Sequence, residues 1–328
     1  MKKKDWKTAV WMIAVLAAVF CLFQCAHSQH TDADAVQEPS LSPPADNPDE
    51  LRPEQLPEDH YDLSYEVKFL LDADQVLDRD HRLKKEWLSA FRIQDEYQPI
   101  EVCFVETENR SFQKEGWTNR MRLREGRKKI ERTYKKRYPV SDGNIEAALA
   151  QAQKDGFEIP GKSNAAESND KEKNSDRFEA EIDWEYENMI LSLSWKTSGK
   201  LPGTDSLFDL SDLEIRDFMK NAMPEMEAGW KQTDWGYALM EQSVSVGPLR
   251  FLRAQGTLLE SDITVEIWPL SKDSQNEDQY LVELSFKTDQ LEDARKKRQE
   301  LTSLLDEKKI LLHRNSTKTS RVLDAWLK

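Results

Sequence analysis

The chain has 328 residues, 47 of them basic and 61 acidic, and a formal net charge of −14. Such an acidic balance disfavours bulk binding to nucleic acid or to an anionic membrane surface. Residues 1–7 carry four lysines and one aspartate, a net +3, so the remainder of the chain is more acidic still, at −17.

Residues 1–28 read as a signal peptide or N-terminal membrane anchor. Lysines lead into an apolar run over residues 9–23, and Ala26, His27 and Ser28 then suit signal-peptidase cleavage. At about 15 residues the run is short for a bilayer span. Cleavage is favoured over retention and over lipid attachment at Cys25, because Gln24 sits where lipoprotein processing wants a small residue. The protein is therefore expected outside the cytoplasm, secreted or tethered, with membrane contact only through this segment. Of the three cysteines only Cys103 lies beyond it, which excludes an intramolecular disulfide and a cysteine metal cluster.

Residues 29–60 contain no aromatic side chain and have prolines at 39, 43, 44, 48, 53 and 57 among acids and small polar residues. That composition predicts a disordered tether. The folded domain is expected over residues 61–328. Residues 63–71 alternate Tyr65, Val67, Phe69 and Leu71 against Ser64, Glu66 and Lys68, the pattern of a strand. A helix follows with Leu83, Trp87, Leu88 and Phe91 on one side. Strands are predicted over 100–105, 119–125 and 130–140, then a helix over 144–155. The polar residues 160–177 read as a flexible loop.

The longest alternation covers 178–187, with Glu179, Glu181, Asp183, Glu185 and Glu187 on one face and Phe178, Ala180, Ile182, Trp184 and Tyr186 on the other. A strand over 189–195 pairs back, and residues 213–230 read as a helix with Ile215, Phe218, Met219 and Met226 inward. Further strands are predicted over 237–246, 249–258, 263–268 and 280–286, before a helix striped by Leu291, Ala294, Leu301, Leu304 and Leu305. This makes about ten strands and four or five helices, an α+β chain without solenoid repeats.

One stretch runs against the overall charge. Arg120, Arg122 and Arg124 fall on every second residue, with Met121 and Leu123 between them. A strand lines these arginines up on one face, where a multiply charged anion or an acidic surface would satisfy them. Strands that are charged on one face and apolar on the other, with single-striped helices to cover the apolar faces, leave bulk water or a shared polar interior for the charges. Acidic strands facing basic ones favour the interior. The alternative is a solvated face whose ion pairs contribute little. The five histidines, His27, His30, His60, His81 and His313, lie at the termini, in the tether or near helix ends, which argues against a histidine site. There is no Gly-rich phosphate loop, zinc motif or nucleophile elbow.

Several segments resemble the CYTH, or triphosphate tunnel, proteins. Tyr65-Glu66-Val67-Lys68 is similar to their Glu-x-Glu-x-Lys strand. Phe104-Val105-Glu106-Thr107-Glu108, with Gly116 and Met121-Arg122-Leu123-Arg124 after it, is similar to their Tyr-x-Asp-Thr segment and Leu-Arg-x-Arg strand. Arg132-Thr133-Tyr134-Lys135 resembles the next strand, and Ile263 to Ile267 with Tyr280 to Phe286 resemble the closing Glu-x-Glu strands. The resemblance spans about residues 61–306. It implies a closed antiparallel β-barrel of about eight to ten strands, helices outside, whose lumen binds a triphosphate or polyphosphate.

On that resemblance, Lys68, Arg122, Arg124, Lys135 and Arg253 contact phosphates. Glu66 and Glu283, with Glu181 or Asp183, hold Mg²⁺ or Mn²⁺. Ser64 and Ser285 stand where the family places two further glutamates, and each loses a charged oxygen ligand. Two functions therefore compete: metal-dependent hydrolysis of a triphosphate or polyphosphate, and binding of a phosphate-rich or other polyanionic ligand without turnover. A third reading is a structural envelope protein whose charged faces pair only with one another.

Overall fold

Two-residue alternation gives each long strand one apolar and one charged face, and closing the sheet on itself puts these faces in different places. In a computed structural model, residues 61–159, 161, 177–200, 203–270, 280–315 and 318–327 are described. The expected signal segment (1–28), the tether (29–60) and nearly all of the loop at 160–177 lie outside the described residues.

The elements are β1 (Leu63–Leu71), α1 (Ala73–Val76), α2 (Lys85–Ala90), β2 (Gln98–Glu106), α3 (Ser111–Lys114), β3 (Trp117–Arg124), β4 (Ile130–Val140), α4 (Ile145–Lys154), β5 (Glu179–Trp184) and β6 (Met189–Gly199). They continue with α5 (Asp212–Lys220), α6 (Glu225–Ala228), α7 (Trp235–Gln242), β7 (Val244–Leu258), β8 (Ser261–Pro269), β9 (Tyr280–Thr288), α8 (Leu291–Glu307), β10 (Leu311–Leu312) and α9 (Lys318–Trp326). The strands pair in the order β1-β5-β6-β4-β3-β2-β7-β8-β9, and β9 pairs again with β1, so the barrel closes. β10 extends one rim through Leu70 and Leu71 of β1.

The pairings are antiparallel except β1 with β5, which run parallel. The barrel is therefore mixed where an antiparallel one was expected. Three strands and four helices, α1 to α4, separate β1 from β5, a connection long enough to bring the chain back to the same rim, which a hairpin cannot do.

Outward side chains such as Tyr65, Val67, Phe69, Tyr134, Ile182 and Trp184 form the main core beneath the helices. α8 packs on β1 and β9, α4 on β4, and α5 on β7. A second apolar cluster fills one end of the barrel interior. There Val102, Phe104, Leu249 and Trp268 meet Val322 and Leu323 of α9, and Phe251 stacks on Trp268 with ring centroids 4.0 Å apart.

Three local expectations change. The helix expected over 213–230 breaks at Lys220 and resumes after Pro224, which lacks the amide hydrogen a continuous helix needs. Residues 237–242, expected to begin a strand, belong to α7; they include the good helix formers Ala238, Leu239, Met240, Glu241 and Gln242, and Met240 is buried. The acidic strand stops at Trp184, because the Glu185 N–H donates to the Asn188 carbonyl (2.8 Å) in a turn.

Glu227 of α6 is fully buried, with Asn119 and Glu106 near it. Burial raises its carboxyl from 4.5 to about 8, Glu106 adds to the rise and Asn119 opposes it. Between those two values the folded protein holds a proton that the unfolded chain has released, so stability falls as pH rises through that window. Glu227→Gln is expected to melt at a higher temperature than the parent at pH 7.5, with the gap closing towards pH 5; an equal gap at both pH values would contradict the assignment.

Candidate functional site

The charged faces of seven strands meet inside the barrel. β3 contributes Arg120, Arg122 and Arg124; β4 contributes Lys135 and Arg137; β1 contributes Glu66 and Lys68. β5 adds Glu181 and Asp183, β7 Arg253, β8 Glu266, and β9 Glu283 and Lys287. All line one cavity of about 230 Å³. The nine residues singled out from the sequence, Lys68, Arg122, Arg124, Lys135, Arg253, Glu66, Glu283, Glu181 and Asp183, are all in its wall. Ten basic and seven acidic side chains line it, a surplus of positive charge inside a protein of net −14.

Asp183 is the centre of this charge arrangement. Its carboxylate accepts from the Ser192 hydroxyl (2.5 Å) and the Lys135 ammonium (3.3 Å), and pairs with Lys68. Lys68 also lies 2.9 Å from Glu66. Glu181 pairs with Lys287 and lies 3.6 Å from Lys135, and Lys287 lies 3.7 Å from Glu66.

Burial alone would raise both carboxyls, but the neighbouring cations win. Lys135, Lys68 and Arg137 hold Asp183 well below the usual carboxylate range, and Lys68 and Lys287 hold Glu66 at about 2. Lys68 is raised well above its ordinary value, because Asp183 and Glu66 overcome its burial. Lys135 is lowered, because burial outweighs its acidic partners.

The opposite wall has a surplus of guanidinium groups. The Nε atoms of Arg120, Arg122 and Arg253 are buried without a hydrogen-bond partner. Burial, then the adjacent Arg122, lowers Arg120 to about 9. Arg124 sits at the rim, its side chain 46% exposed, 3.6 Å from Glu131. Buried donors without acceptors are costly, and a multiply charged anion would supply the acceptors.

At the far end of the lumen Lys318, the first residue of α9, donates to Glu266 Oε2 and Glu283 Oε1, each at 2.6 Å. Arg110 fixes the helix by pairing with Asp324 and donating to the Leu323 and Leu327 carbonyls at 3.3 and 3.4 Å. Glu283 thus belongs to a lysine pair at this end. Among the described residues, the three carboxylates whose oxygens lie within 4.8 Å of one another are Glu66, Glu181 and Asp183.

Three hard oxygen donors in the wall of a polar cavity fit a hard divalent cation. The ion would displace the ammonium groups of Lys68, Lys135 and Lys287 from those oxygens. Sequence reasoning did not single out Arg137, Glu266, Lys287 or Lys318 as site residues. Arg137 continues the alternation of Thr133 and Lys135. Lys318 precedes a short amphipathic stretch, Val322, Leu323 and Trp326, and nothing in its neighbours points into a barrel.

No family model matches the sequence, and no curated protein matches it. Among solved structures the chain is similar to HpAC1 from Hippeastrum, an adenylyl cyclase by name with a dominant triphosphatase activity; identity is 12%, over 79% of this chain and 94% of that one, with a TM-score of 0.44. It is similar also to proteins named as adenylate cyclases from Bacillus halodurans (12% identity, 80% of this chain and 98% of that one, TM-score 0.40) and Vibrio parahaemolyticus (11%, 82% and 100%, 0.34). The barrel's own strand register and cavity, not these distant likenesses, define the site.

Removing Asp183 leaves Lys68, Lys135 and Arg137 facing one another. Asp183→Ala is expected to lose about 3–5 kcal/mol of stability, the usual cost of breaking a buried pair on one side. Tripolyphosphate should recover part of the lost melting temperature by replacing the missing charge, whereas loss without any recovery would mean that the lumen does not accept anions.

Proposed function

We propose that the lumen binds the phosphate chain of a triphosphate or polyphosphate and, with a divalent ion, hydrolyses it. The observation that carries this reading is the convergence of Lys68, Arg120, Arg122, Lys135 and Arg137 with three clustered carboxylates in one cavity. Several cations are needed because each phosphate of the chain carries charge, and fixed guanidinium groups neutralise it without reorganising during reaction.

Glu66, Glu181 and Asp183 would hold Mg²⁺ or Mn²⁺. When bound, the ion would polarise a phosphoryl oxygen and could activate an attacking water. Lys68 and Lys135, freed from their carboxylates by the ion, would turn to the phosphates. Arg120, Arg122 and Arg137 would hold the chain in line. The N-terminal segment supports placing this activity outside the cytoplasm.

Phosphate release from tripolyphosphate with Mg²⁺ or Mn²⁺ is expected to fall at least 100-fold in Glu66→Ala and Glu181→Ala, in line with the loss of one preorganised charged group. Arg122→Ala should weaken binding about tenfold, as expected for a charge-assisted hydrogen bond. Undiminished release in the two glutamate variants would exclude the lumen as the catalytic site.

A second reading is binding without turnover, and Lys318 favours it. Its ammonium neutralises Glu266 and Glu283, while Ser285 lies across from Lys68, so fewer carboxylates are left for a metal. Tripolyphosphate binding by calorimetry, with no phosphate release under either metal, would decide for this reading.

A further inference from the structure

The lumen continues past its charged wall. Arg124 and Arg253 line the 230 Å³ cavity and also line a second one of about 620 Å³. The second cavity opens at the rim opposite α9, where the ends of β3 and β7 meet residues 92–97 ahead of β2. Arg92, Tyr97, Gln98 and Gln255 complete much of its wall. This wall is fixed to the barrel: the Thr257 N–H donates to the Phe91 carbonyl at 2.9 Å. Gly256 is required for that approach, because a Cβ there would run into the Phe91 carbonyl and the Ile93 side chain.

Size divides the work between the two cavities. Ligand pockets usually run to about 300–1,000 Å³, so the lumen takes a compact charged group and leaves the rest of a larger ligand outside. The lining of the outer cavity decides what that rest is. A nucleobase wants an aromatic face to stack on and exposed hydrogen-bonding groups to read it. Tyr97 is the one aromatic residue lining this cavity among the described residues, its hydroxyl accepts from the Leu83 N–H (3.1 Å), and the Arg82 guanidinium lies over its ring at 5.2 Å.

Cations, by contrast, run continuously outward. Along β3, arginines recur about every 7 Å from the interior to the rim, at the two-residue spacing of a strand. Arg92 continues that track, and Arg92, Arg124 and Arg253 outnumber the one carboxylate, Glu96, that lines the outer cavity.

We infer that the outer cavity is an anion subsite that takes the outlying phosphates of a linear polyphosphate chain, and not the base of a nucleoside triphosphate. This rests on the proposed phosphate site in the lumen. Arg92 is exposed, at the end of a short turn outside the barrel strands.

The experiment is a calorimetric titration of the full-length protein with tripolyphosphate, with a polyphosphate of several tens of units, and with ATP, at physiological salt. Arg92→Ala is compared with the parent and with Lys296→Ala, a control on the outer face of α8. The long chain is expected to bind tighter than tripolyphosphate. Arg92→Ala should weaken the long chain about three- to tenfold, as loss of one charged contact does, and leave tripolyphosphate unchanged. Equal weakening of both, weakening by Lys296→Ala to the same degree, or a loss confined to ATP would overturn the subsite. If no phosphate chain binds the parent protein, it is the lumen reading that fails first.

Discussion

The structure depends on neutralising charge inside a closed barrel. Asp183 sits among Lys68, Lys135 and Arg137, whose charges outweigh its burial and hold its carboxyl well below the usual range. Desolvating an ion costs several kcal/mol, so each must be repaid by a close partner of opposite sign. On the β1 and β5 side such a partner is present for each charge. On the β3 side it is not, since Arg120 and Arg122 keep buried Nε donors with no acceptor. The asymmetry is the ground for the proposal that the lumen takes an anion and is more than an internal salt-bridge network.

The second constraint is that only part of the interior is wet. Phe251 stacked on Trp268, with Val322 and Leu323 of α9, fills one end of the barrel with apolar side chains. The charged half is thereby placed in a low-dielectric enclosure, which strengthens the arginines' attraction for an anion and raises the cost of leaving them unpaired. Lys318 stands at the boundary between the two halves. It lets Glu266 and Glu283 remain buried, and it reserves those carboxylates for an internal cation.

Much of this was legible in the sequence because two-residue alternation specifies strands and their faces together. The run through Arg120, Arg122 and Arg124 lies in β3 as read, and residues 130–140 form β4. The acidic alternation identified β5, but its face divides: Glu179 is exposed whereas Asp183 is buried, because the strand enters the barrel as it proceeds. What the pattern could not supply was pairing direction and long-range closure. Nothing local tells β1 to run parallel to β5, and nothing around Lys318 tells a nine-residue C-terminal helix to seal the lumen. Residues 237–242 misled because their alternation fits a strand while their propensities and the burial of Met240 fit a helix.

The most direct measurement is a crystal structure of the protein grown with tripolyphosphate and Mn²⁺. The account predicts phosphate density among Arg120, Arg122, Lys135 and Arg137, and an anomalous peak beside Glu66, Glu181 and Asp183. Phosphate found only on the outer surface, with Lys68 and Lys135 still paired to Asp183 inside an otherwise unchanged lumen, would contradict it.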